Sequence, residues 1–205
     1  MADTAILLFS FGFTESQNTG VGHQRSWEEI EMNLSIDELL DYTDEERAKW
    51  DAWFGTQGNE ALNLAVPMEA HPNIGALILH CFWAEMFYAR WMQGDVLTAE
   101  RVKTMLETLP TGEADKVFAF GRSCREELRK ALAGFAQDDW NKSHSVDGPG
   151  FRIEGSARKL IGHILVHEIR HWAQVALSAR QHGLAPPGEH DLLFSTSFGP
   201  LATKT

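Results

Sequence analysis

Residues 74–92 read IGALILHCFWAEMFYARWM, a stretch that is apolar on nearly every side. Its polar exceptions are His80, Glu85 and Arg90. A helix that is hydrophobic all round has to be buried, because it has no face to offer to water. The sequence therefore predicts a helix from about Pro72 to Gln93 that lies at the centre of a helical bundle.

Three further long helices are predicted around this one. Ser35 and Glu38 have the spacing of a capping box, in which each side chain accepts a hydrogen bond from the other residue's backbone N–H. The predicted helices run from Ser35 to about Phe54, from about Glu113 to Ala133 and from Ser156 to Gln181, with a short helix from Thr98 to Glu107. Four long helices joined by loops predict an all-α four-helix bundle, in which a metal site would be built in the core.

The chain is expected to form one domain, residues 35–195, between an irregular N-terminal segment, 1–34, and a C-terminal tail, 196–205. Residues 136–155 are rich in Asp, Ser and Gly, and we expect a loop with at most a short strand at Phe151–Ile153. The apolar residues after the last helix are expected to pack back on the bundle: Leu192, Leu193 and Phe194.

Composition narrows the classes of partner. The formal net charge of −11 and the pI of about 5.2 predict that the chain binds neither nucleic acid nor an anionic membrane. Two cysteines, Cys81 and Cys124, make no disulfide framework and fit a reducing compartment. The N-terminal residues lack the basic region of a signal peptide, so a cytoplasmic location is expected.

Three histidines stand four residues apart in the run HILVHEIRH, residues 163–171. Residues four apart share a helix face, so two imidazoles at that spacing can hold one divalent ion. His163 and His171 are about 12 Å apart along the helix, too far for one ion to bind all three. His171 lies at the edge of the helix's apolar stripe and His167 slightly beyond it, so this pair faces inward more than His163 does.

A third ligand should come from another buried helix, and His80 is the only histidine in one. Considered alone, a buried histidine is more often a hydrogen-bonded core residue than a ligand. His71 and His190 are in predicted loops from which they could approach the site.

Glu168 falls in the middle of the same apolar stripe, where a carboxylate needs a cation or a hydrogen-bond donor. It could form an ion pair, with Arg90 as the suggested partner, or orient a ligand imidazole. The run HEIRH also matches the H-E-x-x-H pattern of zinc proteases. The HxxGxxH extension that follows this motif in some of these enzymes is absent. The chain also shows little β-strand pattern, whereas such enzymes usually bind the substrate along a strand edge, so a protease is disfavoured.

At these motifs the chain resembles the DinB-like metal proteins, four-helix bundles within a wider thiol-transferase superfamily. Members carry one histidine on the second helix, here in LILHCFWAE around His80, and an H-x-x-x-H pair on the last long helix, often continued as HxGQ. Here that run is HEIRHWAQ, with Ala173 where many members have glycine. The segment DLLFS, residues 191–195, is also similar to members, and the resemblance covers roughly residues 35–195.

The resemblance implies that His80, His167 and His171 hold one divalent transition metal ion, with zinc or nickel favoured, and leave coordination positions open. Candidates for orienting the ligands are Glu168, His163 and Gln174. The family's activities imply a small-molecule substrate and transfer of a low-molecular-weight thiol to a small electrophile. The alternatives are a metal-dependent hydrolase, a non-catalytic metal-binding module, and a bundle in which the histidines are only structural. A homodimer is possible as the oligomeric state.

Overall fold

The structure, a computed structural model, describes residues 35–199 apart from 69, 96, 149–150 and 189. The predicted segment 1–34 and residues 200–205 of the predicted tail lie outside the described residues. The helices of the described part are α1 (Ile36–Gln57), α2 (Ile74–Met92), α3 (Ala99–Glu107), α4 (Ala114–Ala133) and α5 (Ala157–Gln181). The predicted all-α four-helix bundle is confirmed, with α1, α2, α4 and α5 as its long helices and α2 packed against both α4 and α5.

Side-chain caps fix where these helices begin. The Ser35 hydroxyl accepts from the Glu38 backbone N–H at 3.1 Å and the Glu38 carboxylate accepts from the Ser35 backbone N–H at 3.1 Å, which is the predicted capping box. The start of α2 differs from the expectation by two residues, because Asn73 caps it by accepting from the Ala76 N–H at 2.8 Å. Ser156 caps α5 in the same way.

Two antiparallel hairpins precede α2 and α5, in segments where no hairpin was predicted. Strands β1 (Ala65–Met68) and β2 (His71–Asn73) pair before α2, and strands β3 (Ser143–Gly148) and β4 (Phe151–Ser156) pair before α5. The expectation of a loop over residues 136–155 was therefore wrong, although the short strand expected at Phe151–Ile153 lies within β4. The strands are only 3 to 6 residues long, and cross-strand pairing stabilises them together with the burial of single side chains such as Val66.

The core consists of two apolar layers separated by charge. One layer contains Trp50 and Phe54 of α1, and the other contains Leu40 at the opposite end of the same helix. Between them four buried charged residues, one from each long helix, bind one another: Arg47 from α1, Glu85 from α2, Arg125 from α4 and Glu168 from α5. The buried Glu46 of α1 pairs elsewhere, with His190 and Lys49. The four charges balance, so α2 and α5 are joined by an ionic layer as well as by apolar packing.

The segment after α5 is held differently from the expectation. Leu192 and Leu193 are 42% and 67% exposed, so the prediction that they pack on the bundle was wrong. Polar contacts attach this segment to α1: the Tyr42 hydroxyl donates to the His190 carbonyl at 2.9 Å, and Thr196 binds the Glu45 carboxylate. Among the described residues, none of the helices has the length and apolar character needed to cross a membrane.

Candidate metal centre

The facing sides of α2 and α5 bring three imidazoles to one point. His80 Nε2 lies 3.1 Å from His167 Nε2, and His171 Nε2 lies 3.0 Å from His167 Nε2. One donor atom from each of the three residues lies within 4.8 Å of the others. The sequence reasoning that selected His167 and His171, one turn apart on α5, together with His80 on α2, named the three residues that the fold brings together.

Gln174 fixes the orientation of one of these rings. His171 Nδ1 donates to Gln174 Oε1 at 2.5 Å, so the proton is on the nitrogen that faces away from the cluster. His171 Nε2 then presents a lone pair to the other two rings. Carbonyl groups that hold a ligand imidazole in this tautomer are a common feature of metal sites. The expectation that Gln174 orients a ligand therefore matches a contact in the structure.

Burial keeps these imidazoles neutral. It lowers the pKa of His80 to about 4, an effect to which the neighbouring His71 and His171 add. It lowers the pKa of His167 to about 3, again with a contribution from the adjacent histidines, and it lowers the pKa of His171. At neutral pH the cluster therefore offers unprotonated nitrogens, which is the form that binds a metal.

The spacing of the nitrogens also fits a metal ion. An ion about 2.1 Å from two nitrogens separates them by about 3.0 Å at a right angle and about 3.4 Å at the tetrahedral angle. The observed separations of 3.0 and 3.1 Å correspond to the right-angled arrangement. The His80 and His171 ring centroids are 5.3 Å apart, less than the about 6.4 Å expected for two rings on opposite sides of one ion. Three imidazoles so placed would therefore leave part of the ion's coordination sphere open. The cluster could therefore hold a divalent ion and leave room for a substrate.

Glu168 belongs to the core and not to this cluster. Its carboxylate accepts from Arg47 Nε at 2.6 Å, from Arg125 Nη2 at 2.8 Å and from Trp172 Nε1 at 3.1 Å. The suggested pairing with Arg90 was wrong, because Arg90 binds Glu127 on the surface at 2.7 Å. Neighbouring helical residues point about 100° apart, so the turn that aims His167 at the cluster aims Glu168 into the core.

The position of Glu168 in the core argues against the interpretation of HEIRH as a zinc-protease motif. In the H-E-x-x-H enzymes the glutamate acts as a general base beside the metal. Here the Glu168 carboxylate is 2% exposed, and its oxygens are occupied by guanidinium and indole donors. Burial would raise the pKa of Glu168, but the Arg47 and Arg125 guanidinium groups hold it below its ordinary value. A fully paired carboxylate in the core is not positioned to accept a proton from a substrate.

Other histidines surround the cluster at different distances. The His163 ring centroid is 5.3 Å from that of His167 and 5.3 Å from that of Tyr88. The His71 ring centroid is only 4.5 Å from that of His80, whereas His190 stacks on Trp50 and binds the Glu46 carboxylate at 2.5 Å. Of the two loop histidines that could approach the site, His71 does so and His190 belongs to the aromatic core.

The tryptophan next to the cluster contributes to packing. Trp172 is 5% exposed and lies between Trp50 and Phe118, with ring centroids 5.5 and 6.4 Å away and nearly parallel planes. Sequence reasoning named His71 as a residue that could approach the site but missed the strand that carries it. The proline of the run His71-Pro72-Asn73 is typical of a strand start or edge, and this was the only available signal.

Comparisons with known proteins agree with this fold. The model of the DinB superfamily matches residues 57–175, more than half of the 205-residue chain, and the match includes all three clustered histidines. A DinB-like protein from Bacillus cereus, at 16% identity, superposes with a TM-score of 0.54 over 75% of this chain and 97% of its own. A DinB-like protein from Bacillus subtilis, at 13% identity, gives a TM-score of 0.53 over 76% and 96%. No curated protein sequence matches the chain.

Proposed function

The chain belongs to the DinB superfamily, and from this premise we propose that it is a metal-dependent enzyme that transfers a low-molecular-weight thiol to a small electrophile. His80, His167 and His171 are the proposed ligands of one divalent transition metal ion, with zinc or nickel favoured. The transfer part of the proposal rests on the activities of the superfamily. The metal part rests on this chain's own residues.

The observation that carries the proposal is the convergence of three ring nitrogens. His167 Nε2 lies 3.1 and 3.0 Å from the other two, and His171 Nε2 presents a bare lone pair because its proton is on Nδ1. Lone pairs that face each other in a half-buried site repel unless a proton or a cation lies between them. A neutral His167 has one position at Nε2, either a proton or a lone pair, so it cannot satisfy both neighbouring lone pairs. Burial disfavours a further, charged proton on His80 and His167, as their lowered pKa values indicate, so a metal cation is the occupant that satisfies all three nitrogens.

When bound, a divalent ion lowers the pKa of a thiol or water that it binds and so supplies a nucleophile at neutral pH. The protein's part is to orient the ligands and to exclude competing bases. Gln174 holds the His171 ring, and α2 and α5 hold the two sides of the site together. In the proposed transfer the thiol loses its proton and its sulfur bonds to the electrophilic carbon. In a substitution the bond from that carbon to the leaving group breaks, the group departs with the electron pair, and the proton goes to it or to solvent. In an addition the carbon–carbon π bond opens and the neighbouring carbon takes the proton.

Elemental analysis and a conjugation assay test this proposal. Protein purified without a histidine tag should contain about one zinc or nickel ion per chain. We expect it to conjugate one of a panel of small thiols to an electrophile such as chlorodinitrobenzene, and to lose this activity after chelation. His80→Ala should lose both the metal and the activity, whereas His144→Ala, on strand β3, should keep both.

The outcomes separate the alternatives. Metal content without any thiol turnover, together with metal-dependent ester or amide hydrolysis, would favour a hydrolase. Metal content without turnover of either kind would favour a non-catalytic metal-binding module. A wild-type protein that contains no metal and binds none when it is offered would refute the metal centre itself.

A further inference from the structure

His71 is the residue nearest to the proposed centre that no ligand set includes. It is the first residue of β2, and β2 leads directly into α2, the helix that carries His80. Its ring centroid lies 4.5 Å from that of His80 and 6.2 Å from that of His171. Within the cluster, ring centroids are separated by 4.3 Å for His167–His171, 4.9 Å for His80–His167 and 5.3 Å for His80–His171. His71 is therefore as close to His80 as the clustered rings are to each other.

These separations are those of imidazoles that share one ion. With a bond of about 2.1 Å, the centroid of a ligating ring is about 3.2 Å from the metal. Two such rings at a right angle then have centroids about 4.5 Å apart, and two at a wide angle of about 150° are about 6.2 Å apart. The distances from His71 to His80 and to His171 match these two cases. These two separations would therefore allow His71 to share an ion with His80 and His171.

No hydrogen bond within the described residues holds the ring of His71 in one orientation. His182, in contrast, is held by the Ala65 carbonyl and His190 by the Glu46 carboxylate. The β1–β2 pairing has an irregular register between Ala65 and Met68, of the kind that re-aims a side chain. The ring nitrogens of His71 do not belong to the group of His80, His167 and His171 donor atoms that lie within 4.8 Å of one another. Rotation of the His71 side chain therefore has to bring one of its nitrogens inward.

We propose that His71 is a fourth, exchangeable protein ligand of the metal, which occupies the open side of the three-histidine centre until a substrate displaces it. This inference rests on the proposed metal centre. It gives the β1–β2 hairpin a role that the three-histidine arrangement does not need. A resting centre of four imidazoles would be protected from adventitious anions, and it would open only to a ligand that binds better than an imidazole, such as a thiolate.

Counting imidazoles around the bound ion tests this directly. Zinc-loaded wild type and His71→Ala are compared by X-ray absorption at the zinc edge, and cobalt-loaded samples are compared by their visible spectra. The matched control is His163→Ala, which removes a histidine whose ring is 5.3 Å from His167 but which the proposal does not place on the metal. We expect four imidazoles in wild type and in the control and three in His71→Ala. The zinc dissociation constant of His71→Ala should rise at least about tenfold, since even indirect partners of a metal contribute that much.

A rescue measurement guards against an indirect effect of the substitution. Free imidazole added to cobalt-loaded His71→Ala should restore the wild-type spectrum, while circular dichroism should show unchanged helix content. Three imidazoles in both wild type and His71→Ala, with identical cobalt spectra, would overturn the His71 inference and leave the metal centre intact. Failure of wild type to bind zinc at all would overturn the proposed function and the inference together.

Discussion

Glu168→Gln is the substitution that best separates a structural carboxylate from a catalytic one. Glu168 accepts four hydrogen bonds, two from Arg47, one from Arg125 and one from Trp172, and it is 2% exposed. Glutamine keeps the shape but loses the negative charge, and its amide N–H groups must face guanidinium or indole donors. We therefore expect a large loss of stability, even though no volume is removed.

The magnitude follows from the charge layer. The layer has two guanidinium groups and two carboxylates. Without Glu168, Arg47 keeps only Glu85 as an ion-pair partner and shares it with Arg125, which also pairs with the partly exposed Asp44. Breaking a buried pair by removing one partner typically destabilises by about 3–5 kcal/mol. With a urea m-value of about 2 kcal/mol/M for a chain of this size, the unfolding midpoint should fall by about 1.5–2.5 M.

Urea unfolding followed by circular dichroism measures this shift. The control is Glu127→Gln, which removes the partner of Arg90 from a pair whose side chains are about 30% exposed. Exposed pairs contribute about 0–1 kcal/mol, so the control midpoint should move by no more than about 0.5 M. If Glu168→Gln unfolds at the wild-type urea concentration but has lost all activity, the structural assignment is wrong and a catalytic role for Glu168 has to be reconsidered.

The remaining predictions concern the metal centre. His80→Ala should abolish stoichiometric metal binding with little change in helix content, whereas His163→Ala should retain it, and elemental analysis of both decides the ligand assignment. Gln174→Leu should weaken zinc binding by about 10–100-fold without loss of the ion from saturated protein, which a chelator competition measures. Burial lowers the pKa of His80 to about 4 and that of His167 to about 3, so protons should compete weakly with the metal. Imidazoles with an ordinary pKa near 6.5 would begin to release the metal at about pH 6. Here we expect the metal to stay bound below that pH. A release midpoint above pH 6 would contradict that prediction.

The folding stability of the metal-free protein should also depend on the protonation of His80 and His167. Their pKa values are lower in the folded than in the unfolded chain, so the unfolded chain binds more protons between pH 6.5 and about 3. This contribution to stability is complete above pH 6.5 and is lost as the pH falls through that window. The lowered pKa of Glu168 adds a further loss once the pH falls below the ordinary value for a glutamate.

The helices were predictable from the sequence because their signals are local. The Ser35–Glu38 capping box, the all-round apolar stretch of α2 and the histidine spacing on α5 each depend on residues within a few positions of each other. Family resemblance then joined His80 to a pair 87 and 91 residues later in the chain. No local signal predicted that contact, but the burial of its helix had already made His80 the candidate for a third ligand.

Two of the features that sequence reasoning missed depend on partners distant in the chain. Glu168 is paired with Arg47, 121 residues away, whereas Arg90 was the suggested partner. The hairpins have local partners, but their strands are only 3 to 6 residues long, too short to give a clear pattern. Leu192 and Leu193 were expected to be buried because their side chains are apolar, but both are exposed. Polar contacts of His190 and Thr196 with α1 determine the path of this segment instead.

The run HEIRH therefore places residues of both the histidine cluster and the charge layer on one turn of α5. His167 and His171 lie on the face towards His80, while Glu168, about 100° around the helix from His167, joins the charge layer. Rotation of α5 that improved one set of contacts would break the other, because both are attached to the same turn. The buried charges link Glu168 through Arg47 to Glu85, five residues from His80 on α2, so they set the rotation of both ligand-bearing helices. The pattern shared with the zinc proteases arises here from this geometry, with the carboxylate acting as the anchor that holds the imidazoles in place.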